Sequence, residues 1–347
     1  IEDFETALTR DGETWTPPSP YVTYDDLNGM FESQKDLMHK SIDVFFTQDG
    51  KEPLEGTFFY KAGDNPWKLN MDVATGDYYL YGYIPKEDAT SVEIAPNSSY
   101  SNGAVLTIRG LNTVTASDVC VLIGAKEGAG KYDDATTEGG NLKPGAFKTA
   151  IKSTNVQGNS NYIFLLFDHL YASLRFNFKV EATYAALRTI KLRKLELIAY
   201  SDDAGSEVYA KFDAQITLCN TSDGTSPIVD NVIFTRNASS AAMPNVPIFE
   251  GDATLAHATP TPFMGCFVPG DNTYFKLRST YDVYDTTNNL IRQGCQAENT
   301  IDLRKWFGND LKTTRGHCYS LTMTVQPTFL YVLSDPDLDN PTVAINE

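Results

Sequence analysis

A two-residue alternation of apolar and polar side chains runs through this chain and dictates strands. From Glu207 to Leu218, Val208, Ala210, Phe212, Ala214, Ile216 and Leu218 face one way, while Glu207, Tyr209, Lys211, Asp213, Gln215 and Thr217 face the other. Successive strand side chains point to opposite faces, so this stretch reads as a half-buried β-strand. The same period recurs in Ala172 to Val180, in Phe275 to Val283 and in Tyr319 to Val325. Between Ile190 and Tyr200 the apolar residues sit first on even positions, Ile190 and Leu192, and then on odd ones, Leu195 and Leu197. A β-bulge near Arg193-Lys194 returns them to one face, because a one-residue slip in a strand swaps its faces; a helix is the alternative reading.

Shorter strands are expected in the first half, at Ile42–Phe46, Phe58–Tyr60, Trp67–Met71, Tyr78–Ile84, Val92–Ala95, Ala104–Ile108 and Val119–Ile123, after a short helix over Tyr24–Met38. Turn clusters such as Gly63-Asp64-Asn65-Pro66 and Thr75-Gly76-Asp77 separate them. Short strands with one polar face each point to antiparallel sandwiches, and no βαβ rhythm supports a doubly wound nucleotide fold. The 347 residues suffice for two domains at roughly 150 each. The loop-rich stretch 124–159 supplies the boundary, so the expectation is an all-β protein with two tandem antiparallel β-sandwiches, residues 1–155 and 156–347.

Charge and composition narrow the partners. With 45 Asp and Glu against 28 Lys and Arg, the net charge is −17, which argues against a nucleic-acid partner, since phosphate contacts need a basic stripe. Aromatics at 12% and apolar residues at 41% argue against disorder. The longest apolar runs, such as Tyr162–Phe167, fall far short of the roughly 20 residues of a membrane-spanning helix. Ile1-Glu2-Asp3-Phe4 has neither a basic n-region nor an apolar h-region, so any export signal is expected to lie outside these residues.

Motifs for chemistry are sparse. Cys120, Cys219, Cys266, Cys295 and Cys318 are scattered without metal-ligand spacing; they read as small buried residues, with one disulfide such as Cys295–Cys318 left open. Gly124 to Lys131 departs from a phosphate loop, with Ala125 at the first glycine position and Tyr132 at the Ser/Thr position. Asp335, Asp337 and Asp339 alternate like the start of a calcium loop but lack its glycine and its terminal Glu. His169 stands beside Asp168, yet neighbours in a strand point apart, so the two are not expected to pair with each other. No catalytic residue, cofactor or metal is expected. Trp67 and Tyr81, within an aromatic run that includes Tyr78, Tyr79 and Tyr83, are candidate glycan contacts, although alternation sends much of such a run into a core.

Four segments together carry a resemblance: Leu8-Thr9-Arg10-Asp11-Gly12-Glu13-Thr14-Trp15, Asp77 to Pro85, Leu166 to Phe176, and Tyr319 to Thr328. In their order the chain resembles the fimbrillin-like proteins, type V pilus subunits of Gram-negative bacteria of the gut and mouth. The resemblance implies two transthyretin-like sandwiches and a non-enzymatic, adhesive role. It also implies export through the periplasm and outer membrane as a lipoprotein precursor, and partnership with other pilus subunits in a homo- or hetero-polymer on the cell surface. It further implies that an arginine-specific protease cuts between Arg10 and Asp11, releasing the strand 1–10 from the first sandwich. A strand of a neighbouring subunit then fills the groove, and Phe329-Leu330-Tyr331-Val332-Leu333 is the candidate donor. A cell-surface glycan-binding protein is the alternative function.

Overall fold

The computed structural model describes residues 8–9, 21–22, 41–60, 67–69, 71–112, 114–115, 118–128, 144–153, 161–201, 211–220, 229–236, 246–271 and 273–325. In chain order their strands are β1 (Leu8–Thr9), β2 (Tyr21–Val22), β3 (Ser41–Thr47), β4 (Leu54–Tyr60), β5 (Trp67–Lys68), β6 (Gly76–Ile84), β7 (Ser91–Asn97) and β8 (Ser99–Asn112). Next come β9 (Val114–Thr115), β10 (Cys120–Gly128), β11 (Lys148–Ile151), β12 (Tyr162–His169), β13 (Ala172–Val180) and β14 (Thr189–Ser201). The remainder are β15 (Lys211–Cys219), β16 (Val229–Arg236), β17 (Val246–Leu255), β18 (Thr261–Phe267), β19 (Tyr274–Tyr284), β20 (Leu290–Asp302) and β21 (His317–Val325). Two single-turn helices, α1 (Ala182–Ala185) and α2 (Arg304–Phe307), interrupt them. The protein is all-β.

The strands form four sheets that pack as two pairs. A central sheet, β2-β12-β10-β6-β3-β4-β5 with β11 on β6, faces the sheet β16-β15-β8-β7. Phe45, Tyr81, Tyr83, Val121 and Ile123 of the first meet Leu106, Ile108, Ile216 and Leu218 of the second in one apolar core. The other pair is β1-β21-β13-β18-β9 and β17-β14-β19-β20, whose shared core holds Leu174, Phe176, Leu321 and Phe267 against Leu192, Leu195, Phe275 and Leu277. All pairings are antiparallel except β13 with β21, which run parallel from Ser173↔Cys318 to Val180↔Val325.

The bulge expected near Arg193 is present: the register of β14 shifts between Leu192 and Lys194 against both β17 and β19, and the strand reading replaces the helix. Ile190, Leu192, Leu195 and Leu197 all reach the same core because of it. The released side chain is put to use. Arg193 reaches Asp252 of β17 at 2.7 Å, Asp282 of β19 at 2.7 Å and the Tyr284 hydroxyl at 3.0 Å, while the Gly294 amide of β20 donates to Asp282 at 2.8 Å. One bulge thus ties every strand of its sheet.

Two expectations meet a different outcome. Both faces of the central sheet carry an apolar core: β3 is buried at every residue, and Ile42, Val44, Phe46, Leu80, Leu122 and Phe167 form a third core on the side away from β8. Phe58, Trp67, Leu69 and Met71 pack against it. Continuous apolar runs such as Tyr78-Tyr79-Leu80-Tyr81 suit a sheet covered on both faces. The expected division at 155/156 does not coincide with a break in the hydrogen bonding either. β12 pairs with β10, and β15 pairs with β8, so strands from both sides of that point share the first pair of sheets. Strand alternation reports which face a residue takes, not which strand lies next to it. The expected helix over Tyr24–Met38 lies outside the described residues.

Candidate functional site

The two sandwiches join where β12 ends. Only Leu170 and Tyr171 separate β12, in the central sheet, from β13, in the second sandwich, and both are buried. The Leu170 amide donates to the Val119 carbonyl at 2.8 Å, and the Gly316 amide donates to the Tyr171 carbonyl at 2.8 Å. Tyr171 lies wholly in the interior, and burial pushes its phenol well above the ordinary value. β9 makes a second crossing: it pairs with β18 of the second sandwich before the chain enters β10 of the first.

Both N-terminal strands lie at this junction. Leu8 and Thr9 of β1 pair with Cys318 and His317 of β21, and Tyr21 and Val22 of β2 pair with Asp168 and Phe167 of β12. The segment 1–10 was expected in the first sandwich; its described residues instead extend a sheet of the second. Each addition is two residues long and covers the outer edge of the strand it joins. Arg10 and Asp11, the expected processing site, lie outside the described residues, between these two strands. The candidate donor Phe329–Leu333 and the acidic Asp335–Asp339 stretch also lie outside them.

Polar side chains converge beside the two edges. Asp168 is ion-paired with Arg315, whose Nη1 also donates to the His169 carbonyl at 3.1 Å. The His169 side chain turns away from its neighbour, as strand geometry requires. Its Nδ1 stands 2.6 Å from Asp118 Oδ2 and 3.6 Å from Cys120 Sγ. The Cys120 thiol in turn lies 3.8 Å from the Asp118 carbonyl. Asp118 and His169 side chains are 5% and 12% exposed, and Cys120 is 1% exposed. The Asp118, Cys120 and His169 ligand atoms lie within 4.8 Å of one another. Sequence reading missed this group. Asp118 and Cys120 are two residues apart, the spacing of a shared strand face, but the third member enters only through the register Cys120↔His169.

The aromatic candidates separate. Tyr81 is 0% exposed, with its ring centroid 4.7 Å from that of Phe147 and its hydroxyl donating to the Tyr100 carbonyl at 2.6 Å. It has no face for a sugar, a correction that follows from the position of β6 in the middle of the central sheet. Trp67 is half-buried against the third core. The five cysteines, Cys295 and Cys318 included, are thiols rather than half-cystines.

No protein-family model and no curated protein matches the chain. Among solved structures it is similar to a fimbrial protein from Bacteroides vulgatus, at 10% identity and a TM-score of 0.29, over 82% of this chain and 88% of that one. Overlap at that level decides nothing about what this chain does.

Proposed function

We propose that the protein is a structural and adhesive subunit of a type V-like bacterial pilus, without catalysis, assembled at the cell surface by protease-triggered strand exchange. The observation that carries this reading is the placement of β1 and β2, on either side of Arg10-Asp11, along the outer edges of β21 and β12. Loss of residues 1–10 leaves the backbone groups of β21 that faced β1 without that strand, and an unpaired edge is a template for another strand. Leu8 and Thr9, the described part of β1, pair with Cys318 and His317, and an incoming strand supplies main-chain hydrogen bonds to the same edge. Phe329-Leu330-Tyr331-Val332-Leu333 of a neighbouring copy, or of a different subunit, is apolar enough to fill the vacated groove. The net charge of −17 keeps uncut subunits apart by mutual repulsion. Export through the periplasm as a lipid-anchored precursor belongs to the same proposal.

The test is limited digestion with an arginine-specific protease, followed by sedimentation and electron microscopy. The cut chain is expected to form filaments or to bind a peptide spanning residues 326–347, and Arg10→Ala is expected to do neither. A chain cut at Arg10 that stays monomeric and ignores saturating peptide overturns the proposal.

A further inference from the structure

The geometry points to a binding site for one borderline-soft divalent cation, of which Zn²⁺ is the type, formed by Asp118, Cys120 and His169. Among the described residues no other group brings three His, Cys, Asp or Glu ligand atoms so close together. Cys120 and His169 sit directly opposite each other on β10 and β12, and Asp118 precedes Cys120 by two residues. Sheet positions hold a metal site more firmly than loop positions do.

The arrangement has the form of a chelate rather than of a nucleophilic relay. In a Cys-His-Asp relay the thiol and the carboxylate engage different ring nitrogens; here both approach Nδ1 of His169. A tetrahedral zinc with Zn–S of about 2.3 Å and Zn–N of about 2.0–2.1 Å places its sulfur and nitrogen about 3.6 Å apart. Cys120 Sγ and His169 Nδ1 are 3.6 Å apart. Asp118 Oδ2, at 2.6 Å from the same nitrogen, stands nearer to it than the about 3.4 Å between oxygen and nitrogen ligands of one zinc, so the carboxylate shifts as the ion enters. A thiolate and a carboxylate together neutralise a divalent ion, so the loaded site carries no net charge into a buried setting. The neighbouring guanidinium of Arg315 is engaged by Asp168 and the His169 carbonyl. The partly exposed His169 ring marks the way in from solvent.

The full chain titrated with Co²⁺ supplies the test. One ion per chain is expected, with a thiolate-to-cobalt charge-transfer band that Zn²⁺ displaces, and calorimetry in two buffers should show proton release on binding. Cys120→Ser abolishes the band, and His169→Gln and Asp118→Asn weaken Zn²⁺ binding by more than the roughly 10–100-fold that outer-shell changes cost. Cys295→Ser, on β20 of the other sandwich, leaves the band intact. Absence of a thiolate band from the folded wild-type chain at saturating Co²⁺ overturns the inference, whatever the variants do. So does a band that survives Cys120→Ser. Neither outcome touches the pilus reading, which does not depend on this cation.

Discussion

Tyr81 offers a direct test of how the first sandwich is held together. It lies on β6 of the central sheet, and its hydroxyl donates across the core to the Tyr100 carbonyl on β8 of the facing sheet, at 2.6 Å. Burial raises its phenol well above the ordinary value, so the hydroxyl is a protonated donor at neutral pH. Tyr81→Phe removes the hydroxyl and leaves the Tyr100 carbonyl without this donor, a loss of about 1–3 kcal/mol. Tyr81→Ala also removes a fully buried ring packed against Phe147, for a total of about 3–5 kcal/mol. Urea unfolding followed by circular dichroism reads both values. With a slope of roughly 3 kcal/mol/M, Tyr81→Phe moves the midpoint down by ~0.5 M and leaves the slope unchanged. A Tyr81→Phe midpoint equal to the wild type refutes the inter-sheet hydrogen bond, and a Tyr81→Ala midpoint equal to that of Tyr81→Phe refutes the placement of the ring in the core. Loss of sugar binding in Tyr81→Phe at unchanged stability would restore the glycan reading that burial removes.

Two further outcomes follow from neighbouring geometry. Gly82 lies where β6 crosses β3 so closely that an added Cβ would sit 2.2 Å from the Asp43 carbonyl; Gly82→Ala is expected to disrupt the central sheet and abolish soluble expression or cooperative melting, and a normal melting curve contradicts that packing. Asp282 is subject to a burial effect that raises its pKa, but the Gly294 amide and the Arg193 guanidinium outweigh it and hold the carboxyl below its usual range. Its folded value is therefore below its unfolded one, so the stabilisation is complete above about pH 4 and disappears as pH falls through the folded value. Asp282→Asn should melt below the wild type at about pH 7, and the gap should narrow as the pH falls below about 4; a gap that does not change with pH contradicts the ion pair.

Local periodicity made individual strands legible, down to the bulge at Arg193, because a face change in sequence has one cheap structural remedy. The same periodicity was silent on neighbours. Nothing in Glu207 to Leu218 says that this strand lies beside β8 rather than beside β14, since its buried face is apolar in either setting. The second buried face of the central sheet was visible in the run from Tyr78 to Ile84, yet that run also fits a sheet with one aromatic outer face, and only packing from Leu69 and Met71 decides between them. At the junction, strand geometry correctly separated Asp168 from His169. Their actual partners, Arg315 and Asp118, come from distant segments that meet only once the sheets have formed.

The two-residue link between β12 and β13 also sets how the chain bears a pull. Tension entering through β12 reaches β13 at its N-terminal end, and tension leaving past Val325 draws on β21 at its C-terminal end. Because those two strands run parallel, the opposed forces slide one along the other and load the rungs from Ser173↔Cys318 to Val180↔Val325 together. An antiparallel pair held at the same points would open one rung at a time. The parallel pair makes the second sandwich a shear joint, and its mechanical strength is set by the whole ladder rather than by its weakest hydrogen bond.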